Sequence, residues 1–579
     1  MTNLVLNEPT QIEIAKQVSQ ALNIGLKQVD ATLTLINDGS TVPFISRYRK
    51  EMTGELDEVQ IRDIQLTAKK SQELADRKNT VIKAIHDQDK LTPEIQQHIM
   101  SAASLPVVED LYLPYKQKRR TKAMIAREQG LQPLADFVMA NLNAKIPIAD
   151  YVNEALPTKE DVLAGLHEIL AEQIGENAAY RQWLRTRMAL DGVLVSSLKR
   201  GGKDKDEQEV YAGYYDYSES IKSLLNNKFR ILAVNRGEKD GVLSVKIDFA
   251  SARMIHFIQT KASKGQLTTG DGYQVLRSAI EDAYKRFIQP AVERELRQDL
   301  TTQAQEQAIR VFGDNLYHLL MQAPLKGKIV MGFDPGFRTG SKLAIIDAQG
   351  KFLKKQVIYP HKPANAQQRA EAADIFKALV AEYHVQLVAI GNGTASRESE
   401  EFVAKNLSQG VSYSIVNEAG ASVYSASDEA REEFPNLHVE ERSAISIGRR
   451  IQDPLAELIK IDPKSVGVGQ YQHDLNAKAL DQQVDHVVET AVNQVGVNLN
   501  TASPALLTHI AGLNKTLAQN IVDYRNTVGE FSSRAQLKKV PRLGPKAYEQ
   551  AAGFLRILDG KNILDNTDIH PESYSAAKK

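Results

Sequence analysis

The chain has 579 residues, too many for a single hydrophobic core, so we expect about three to five domains. It contains no cysteine, which excludes disulfides, thiolate zinc sites and cysteine nucleophiles. The 72 basic and 72 acidic residues cancel, so any binding to nucleic acid depends on local basic patches.

The N-terminal sequence MTNLVLNEPTQIEIAK lacks the basic start and the long apolar run of a secretion signal. No later stretch combines the length and the apolar character of a membrane span. We therefore expect a cytoplasmic protein that has no membrane partner, and we expect it to be a monomer.

Residues 1–195 are predicted to form a helical N-terminal region, in which a helix-turn-helix is one interpretation of the short helices. Apolar residues recur there at helical spacing, beginning with Ile12, Ala15, Val18 and Leu22. Farther on, proline and glycine breaks enclose a cluster of charged and aromatic residues, which consists of Arg47, Tyr48, Arg49 and Lys50.

A basic segment, LYLPYKQKRRTK, occupies residues 111–122. Its five cations are Lys116, Lys118, Arg119, Arg120 and Lys122. Tyr112 and Tyr115 lie beside them, and basic residues interleaved with aromatics are typical of backbone and stacking contacts with nucleic acid. The alternative is a solvated loop whose cations pair with acids such as Glu109.

Residues 196–325 are predicted to be helical with a β-hairpin. The polar stretch 196–210 indicates a surface loop, and 231–249 indicates either two strands around a glycine turn or a helix that runs into a hairpin. Helical spacing returns over 273–322, and the proline-containing connector 323–328 marks a domain boundary.

Residues 327–460 are predicted to be an α/β domain. KIVMGFDPGFRTGSKLAIID, at 328–347, indicates a buried strand, a Pro-Gly turn and a second strand paired with the first. Two further strands are predicted at 385–390 and 413–416, with helices between them, so part of the sheet should be parallel.

Polar residues follow three of these predicted strands: Asp334, Asn392 and Glu418. Functional groups in such sheets gather at the carboxyl ends of strands. A carboxylate at that place is suited to a hard cation, so Asp334 and Glu418 are candidate ligands of Mg²⁺ or Mn²⁺.

Residues 481–560 contain a doubled pattern, with copies at 506–525 and 537–556. Each copy indicates a helix, a short glycine-containing hairpin and a second helix, whose first N–H groups can hold a phosphate. Residues 496–556 contain eight Lys or Arg and three Asp or Glu, an excess of five positive charges. This favours sequence-tolerant backbone binding. The alternative is a pair of helix units that dock a protein.

The predicted contact residues of the doubled pattern are Gly512, Lys515, Lys538, Lys539, Arg542, Gly544 and Lys546. We expect the hairpin turn to hold Gly544 at positive φ.

The whole chain resembles the Tex family of bacterial transcription accessory proteins. The resemblance is carried by VPFISRYRKE (42–51), EDLYLPYKQKRRTKA (109–123), GFDPGFRTGSKLA (332–344), AIGNGTASRE (389–398), NEAGASVYSAS (417–427), RRIQDPLAELIKIDPKSVGVGQYQHD (449–474) and VGVNLNTAS (495–503). It implies a multidomain, mainly α fold with one ribonuclease H-like α/β domain of the YqgF/resolvase type, a helix-hairpin-helix tandem, and an association with nucleic acid and transcription.

Two departures from the family pattern are visible. No β-rich segment follows residue 560, so we expect residues 561–579 to be a tail and the usual S1 domain to be absent. In the hairpins, Asn514 and Arg542 occupy positions where the family has glycine, which removes one close backbone approach from each hairpin.

A ribonuclease H-like nuclease needs three or four carboxylates around two Mg²⁺ or Mn²⁺ ions. Asp334 and Glu418 supply two, and Glu441 is the candidate third acid, with its neighbour Glu440 as an alternative. The loop 336–342 lacks the spacing of a nucleotide-binding phosphate loop. We therefore favour a binding factor for RNA, DNA or both, whose partners include the transcription or translation machinery and whose α/β domain is an inactive scaffold. The alternative is a structure-selective, metal-dependent nuclease.

Overall fold

The computed structural model describes residues 6, 8–117, 119–265, 269–467, 469 and 471–579. It confirms the predicted multidomain, mainly α fold with one α/β domain. The chain divides into two compact units, one of Met1–Asp30 and Asp63–Gln307 and the other of Ala31–Arg62 and Ala308–Lys579. Within the described ranges, no helix is both long and apolar enough to cross a membrane.

The N-terminal part of the chain is helical. Its helices are α1 (Gln11–Leu22), α2 (Leu26–Asn37), α3 (Val42–Tyr48), α4 (Lys50–Thr53), α5 (Glu58–His86), α6 (Pro93–Ser101), α7 (Leu105–Tyr112), α8 (Lys122–Glu128), α9 (Gln132–Ala140), α10 (Lys159–Gly175) and α11 (Ala178–Asp191). Capping boxes explain where α1 and α10 begin, since Thr10 pairs with Glu13 and Thr158 pairs with Asp161.

An antiparallel three-stranded sheet follows, with strands β1 (Val193–Leu198), β2 (Asp216–Ser220) and β3 (Leu243–Asp248) in the order β2-β1-β3. The helices of this region are α12 (Ile221–Leu224), α13 (Phe229–Lys239), α14 (Ser251–Ala262), α15 (Asp271–Ala283) and α16 (Gln289–Leu320), with a π-helical turn at Tyr284–Ile288. Of the two interpretations of 231–249, the helix of the second is present as α13, but it leads into a single strand that pairs with β1 and not into a hairpin.

The α/β domain contains β4 (Val330–Asp334), β5 (Ser341–Ile346), β6 (Phe352–Ile358), α17 (Ala366–Glu382), β7 (Leu387–Gly391), α18 (Ser396–Asn406), β8 (Ser412–Val416), α19 (Ala421–Ala426), α20 (Asp428–Glu433), α21 (Val439–Gln452) and α22 (Pro454–Leu458). Its sheet has the order β6-β5-β4-β7-β8. β6, β5 and β4 pair antiparallel, whereas β4, β7 and β8 pair parallel. The β4–β5 pair and the parallel pairing were predicted, and β6 was not.

Helix α21 lies directly against the central strand β4. A Cβ atom added at Gly332 of β4 would lie 1.9 Å from the carbonyl oxygen of Ala444 and 3.0 Å from the backbone nitrogen of Gly448. Only glycine therefore permits this approach. The contact holds the N-terminal half of α21 close to the carboxyl end of β4.

The C-terminal part contains α23 (Ala477–Val495), β9 (Val497–Asn498), α24 (Pro504–Thr508), α25 (Lys515–Val528), a 3₁₀ turn (Arg534–Lys539), α26 (Pro545–Ala552), β10 (Leu555–Arg556) and α27 (Tyr574–Ala577). β9 and β10 pair in parallel and join the two helix pairs. Phe531, Leu537 and Phe554 lie at the centre of their shared apolar core.

The last residues pack around Arg534, whose side chain is 1% exposed. Its guanidinium donates to the carbonyl oxygens of Leu555 and Ile569, both at 2.8 Å, and to the Tyr574 hydroxyl at 2.7 Å. Asp565 is buried beside it and accepts from the Arg534 backbone N–H at 3.1 Å. The predicted tail is therefore part of the folded second unit.

The charged and aromatic cluster at 47–50 also makes contacts inside the second unit. Arg47 pairs with Asp568, and Arg49 pairs with Glu549 at 2.6 Å and with Glu572 at 2.8 Å. The Tyr48 hydroxyl donates to the carbonyl oxygen of Asp568 at 2.9 Å. These side chains attach the segment 31–62 to the C-terminal residues of the second unit.

Candidate acidic site and nucleic-acid interface

Asp334 is the last residue of β4 and lies opposite Lys342 of β5 in the antiparallel register. The Ser443 hydroxyl on α21 hydrogen-bonds to its carboxylate. Burial raises the pKa of Asp334; the Ser443 hydrogen bond and the charge of Lys342 oppose this rise, whereas the charge of Glu440 adds to it. Asp334 thus lies where β4, β5 and α21 meet.

Glu418 follows β8, and the glycines after β7 leave room for its carboxylate. A Cβ atom at Gly391 would lie 2.0 Å from Glu418 Oε2, and one at Gly393 would lie 1.7 Å from Oε1. The Gly393 N–H donates to the carboxylate, and Asn392 Oδ1 accepts from the Glu418 backbone N–H at 3.1 Å. The sequence Gly-Asn-Gly therefore positions Glu418.

Asp334 and Glu418, hereafter the acid pair, act on each other electrostatically. Burial raises the pKa of Glu418 and the charge of Asp334 raises it further, whereas the Gly393 N–H and Arg450 oppose the rise. No described group donates a hydrogen bond to the buried Glu418 Oε2. Two desolvated, mutually repelling carboxylates with an unpaired oxygen have the chemistry of cation ligands.

The candidate third acid, Glu441, is engaged elsewhere. Its carboxylate accepts from the His438 N–H at 2.8 Å and from Lys355 Nζ at 2.7 Å. Burial alone would raise the pKa of Glu441. The hydrogen bonds and charges of Lys355 and His438 outweigh burial and hold that pKa below its usual value. The neighbouring Glu440 instead pairs with Lys342 at 2.9 Å, and its charge acts on Asp334. The geometry therefore favours Glu440 over Glu441 as the third acid near Asp334. Successive residues of a helix point about 100° apart, so the two side chains face different neighbours.

The donor set can be compared with what a divalent ion requires. The acid pair and its unpaired oxygen fit one Mg²⁺ or Mn²⁺ ion. In the described part of the chain, no group of three His, Asp or Glu residues is placed to hold a metal. The residues therefore do not fit the two-ion set that ribonuclease H-like cleavage requires.

Two side chains of α21 near the acid pair were missed from the sequence. Ser443 binds Asp334, and Arg450, which is 4% exposed, donates to the carbonyl oxygen of Asn417 at 2.6 Å. Burial lowers the pKa of Arg450 to about 10, although the charges of Glu457 and Glu418 oppose this. Ser443 and Arg450 are seven residues apart, so helical spacing could have indicated their common face.

In the first unit, the basic segment 111–122 lies between α7 and α8. Lys118 lies outside the described residues. The other cations of the segment are exposed: Lys116, Arg119, Arg120 and Lys122. Arg120 pairs with Glu128 at 2.6 Å, and Lys122 lies 3.9 Å from Glu168. Lys116 also lines a groove of about 1470 Å³. Exposed ion pairs are weak, so these contacts leave the cations available to an anionic ligand.

The first hairpin, residues 509–514, packs against α26. Gly512 has φ +78°, and a Cβ atom there would lie 2.7 Å from Gln550 Cβ. Asn514 caps α25, since its Oδ1 accepts from the Leu517 N–H at 2.9 Å. Gly512 therefore permits close packing within the domain, and Asn514 is a helix cap.

The second hairpin, residues 540–544, is open. Positive φ was expected at Gly544 and this was wrong: Arg542 has φ +65°, whereas Gly544 has φ −76°. A Cβ atom at Gly544 would have nothing within 4 Å. Gly544 caps α26 without a side chain, so the N–H groups of Lys546 and Ala547 have no acceptor within the helix. This end of α26 is suited to an anion.

The eight cations of 496–556 fall into two groups. Three are buried or partly buried and hydrogen-bonded to backbone carbonyl groups: Arg525, Arg534 and Arg556. The five exposed cations are Lys515, Lys538, Lys539, Arg542 and Lys546. Two of these make local contacts, since Lys538 Nζ lies 4.7 Å from the Tyr548 ring centre and Lys546 Nζ contacts the carbonyl oxygen of Asp38.

Four protein-family models match successive parts of the chain. They are a Tex-like protein N-terminal domain (12–86), a Tex central region-like domain (140–312), a Tex protein YqgF-like domain (328–452) and a helix-hairpin-helix motif (492–556). No S1 domain is detected in the 579 residues.

Curated relatives match over nearly the whole chain. The transcriptional accessory protein Tex of Neisseria gonorrhoeae is 43% identical over 580 residues, which cover 98% of this chain and 75% of that protein. YhgF of Escherichia coli is 43% identical, with 96% and 72% covered. YdcI of Bacillus subtilis is 48% identical, with 98% and 79% covered. The chain therefore belongs to the Tex family.

Proposed function

We propose that this protein is a nucleic-acid-binding accessory factor of transcription, acting in the cytoplasm as a monomer. The helix-hairpin-helix match supports binding to RNA, DNA or both. The name of the Neisseria gonorrhoeae relative, a transcriptional accessory protein, supports the link with transcription. The transcription or translation machinery is the expected protein partner.

The open second hairpin is the observation that carries this proposal. It combines an uncovered Gly544, free N–H groups at the start of α26, and the exposed cations Arg542 and Lys546. These groups recognise phosphate oxygens and do not read base edges, so the binding is sequence-tolerant. Lys116, Arg119, Arg120 and Lys122 provide a second basic surface in the first unit.

The α/β domain serves as a scaffold in this proposal. The alternative is a metal-dependent nuclease, and the observation that favours it is the acid pair with its unpaired Glu418 Oε2. Against it, Glu441 is bound to Lys355, and Glu440 is bound to Lys342. A metal ion would be held by Asp334 and Glu418, where it would neutralise their repulsion.

Salt titration tests the binding proposal. Labelled single-stranded RNA, single-stranded DNA and duplexes of unrelated sequence are titrated with the full chain by fluorescence anisotropy. We expect similar affinities among sequences of one type, and a logarithmic salt slope of about −3 or steeper, since several phosphates are contacted. An affinity that is flat between low and moderate salt would reject electrostatic backbone binding.

Cleavage assays separate the scaffold from the nuclease. Single strands, duplexes and branched junctions are incubated with the full chain across a titration of Mg²⁺ and of Mn²⁺. We expect binding without strand cleavage, because two carboxylates do not hold the two ions that the reaction needs. Metal-dependent cleavage that Asp334→Asn abolishes would establish the nuclease instead.

A further inference from the structure

A lysine side chain on β5 lies opposite an acid on β4 and is paired with an acid on α21. Lys342 pairs with Asp334 in the β4–β5 register, and residues directly opposite in an antiparallel pair point to the same face. Lys342 is 8% exposed. Its Nζ lies 2.9 Å from Glu440 Oε2 and donates to the Thr339 hydroxyl. The ammonium group is therefore ion-paired with the helix acid, and its charge acts on the strand acid.

The helix side of this arrangement is anchored through the backbone of α21. Glu440 and Ser443 are one turn apart on α21, and the Ser443 hydroxyl bonds to Asp334. Gly332 allows α21 to lie against β4 with no side chain between them. The backbone of Glu440 is therefore held near Asp334, and its side chain, which is 60% exposed, is paired with Lys342.

An ammonium group and a divalent ion can balance the same two carboxylates, but they differ chemically. The lysine nitrogen has one positive charge and three N–H donors, and it accepts no ligand. It cannot bind a water molecule as a Lewis acid or coordinate a leaving oxygen. Because it is tethered to β5, it also cannot exchange with ions from solution.

We propose that Lys342 is a built-in counter-ion that occupies the place of a divalent ion between Asp334 and Glu440. The domain then has room for a single divalent ion, at the acid pair. This inference rests on the scaffold role proposed above, and it explains why the domain would not hold two ions. It follows that removing the ammonium group converts Asp334, Glu418 and Glu440 into a three-carboxylate site for Mn²⁺ or Mg²⁺.

Mn²⁺ binding to the full chain tests the proposal, by calorimetry and by the Mn²⁺ electron paramagnetic resonance signal. We expect Lys342→Met to bind Mn²⁺ at least about tenfold more tightly than the wild type, because a repelling charge is lost and a ligand is gained. Adding Glu440→Gln to Lys342→Met should cancel the gain. Lys355→Met is the matched control, because Lys355 pairs with Glu441 at 2.7 Å, and it should bind Mn²⁺ like the wild type.

Equal Mn²⁺ affinity of the wild type and Lys342→Met would overturn the proposal. If Lys342→Met fails to fold without metal, its melting is followed with Mn²⁺ present, together with Lys342→Gln. Recovery of folding by Mn²⁺ supports the exchange of one cation for another. Variants that fold neither with nor without Mn²⁺ overturn it, because the lysine would then serve packing.

The same proteins are assayed for nucleic-acid binding, which we expect to remain at the wild-type level in every variant. Loss of the Mn²⁺ effect with binding intact rejects only the role of Lys342. Failure of the wild type to bind nucleic acid rejects only the proposed function. The two readouts therefore fail independently.

Discussion

The second hairpin and the acid pair both carry charge, and they differ in what surrounds that charge. At the hairpin, Arg542 and Lys546 are exposed, and Gly544 has open space around it. In the α/β domain, Asp334 and Glu418 are half-buried, and the chain supplies its own cations, Lys342 and Arg450, to balance them.

This difference separates charges that serve binding from charges that serve structure. Exposed cations are screened by salt and keep their hydration until an anionic ligand arrives. Buried ions have already lost their hydration and depend on partners within the fold. Substitutions at the hairpin should therefore change binding at constant stability, and those around the acid pair should change stability at constant binding.

The largest effect is expected from Gly332→Ala, because the added Cβ would overlap the Ala444 carbonyl oxygen of α21 at 1.9 Å. Separating α21 from β4 should lower the free energy of unfolding of the α/β domain by about 3 kcal/mol. Urea unfolding followed by circular dichroism measures this. Gly544→Ala is the control, and its change should stay within about 0.5 kcal/mol. A stable Gly332→Ala would mean that α21 is not fixed against the sheet.

The next largest effect is expected from Gly544→Asp. A carboxylate at the open end of α26 repels phosphate, so nucleic-acid affinity at low salt should fall roughly tenfold, or about 1.4 kcal/mol. The melting temperature should not change, because nothing lies within 4 Å of the added Cβ. Gly544→Ala should bind within about twofold of the wild type. Full binding by Gly544→Asp would contradict the phosphate role of this hairpin.

A smaller change is expected from Arg542→Gln. Loss of one phosphate contact should make the logarithmic salt slope of binding shallower by about 0.7 to 0.9. Anisotropy titrations at four or more salt concentrations measure the slope. Lys351→Gln, an exposed lysine of the α/β domain, provides the control and should leave the slope unchanged. Equal slopes for both variants would place the bound phosphates elsewhere.

The smallest effect is expected from Asp334→Asn. Removing one of two repelling charges should raise the melting temperature of the metal-free protein by about 1–3 °C. Mn²⁺ or Mg²⁺ should stabilise the wild type by mass action and should not stabilise the variant. Differential scanning fluorimetry with and without the ion measures both effects. If metal does not raise the melting temperature of the wild type, the acid pair is not a metal site.

The sequence predicted the parts of the fold whose partners are close along the chain. β4 and β5 flank one turn, and the helices between β4, β7 and β8 made parallel pairing the natural expectation. The pairing of β3 was mispredicted because its partner, β1, precedes α13 in the chain and is distant in sequence. Its alternating burial indicates a strand, but periodicity does not identify the partner.

The acid pair could be predicted for a similar reason, since strand ends of a parallel sheet meet at one edge. The choice between Glu440 and Glu441 could not, because it depends on the rotation of α21 about its axis. The role of Lys342 also depended on the length of the β4–β5 turn, which sets the register that places it opposite Asp334.

The second unit draws its residues from distant parts of the chain. The Thr41 N–H donates to Gln550 Oε1 across 509 positions. At a synthesis rate of about 5–20 residues per second, the ribosome needs roughly 25–100 s to cover that distance. Phe44, which is 2% exposed in the finished fold and packs against the ring of His570, lacks that partner until then. The segment 31–62 therefore completes these contacts only after residues 549–572 have been synthesised.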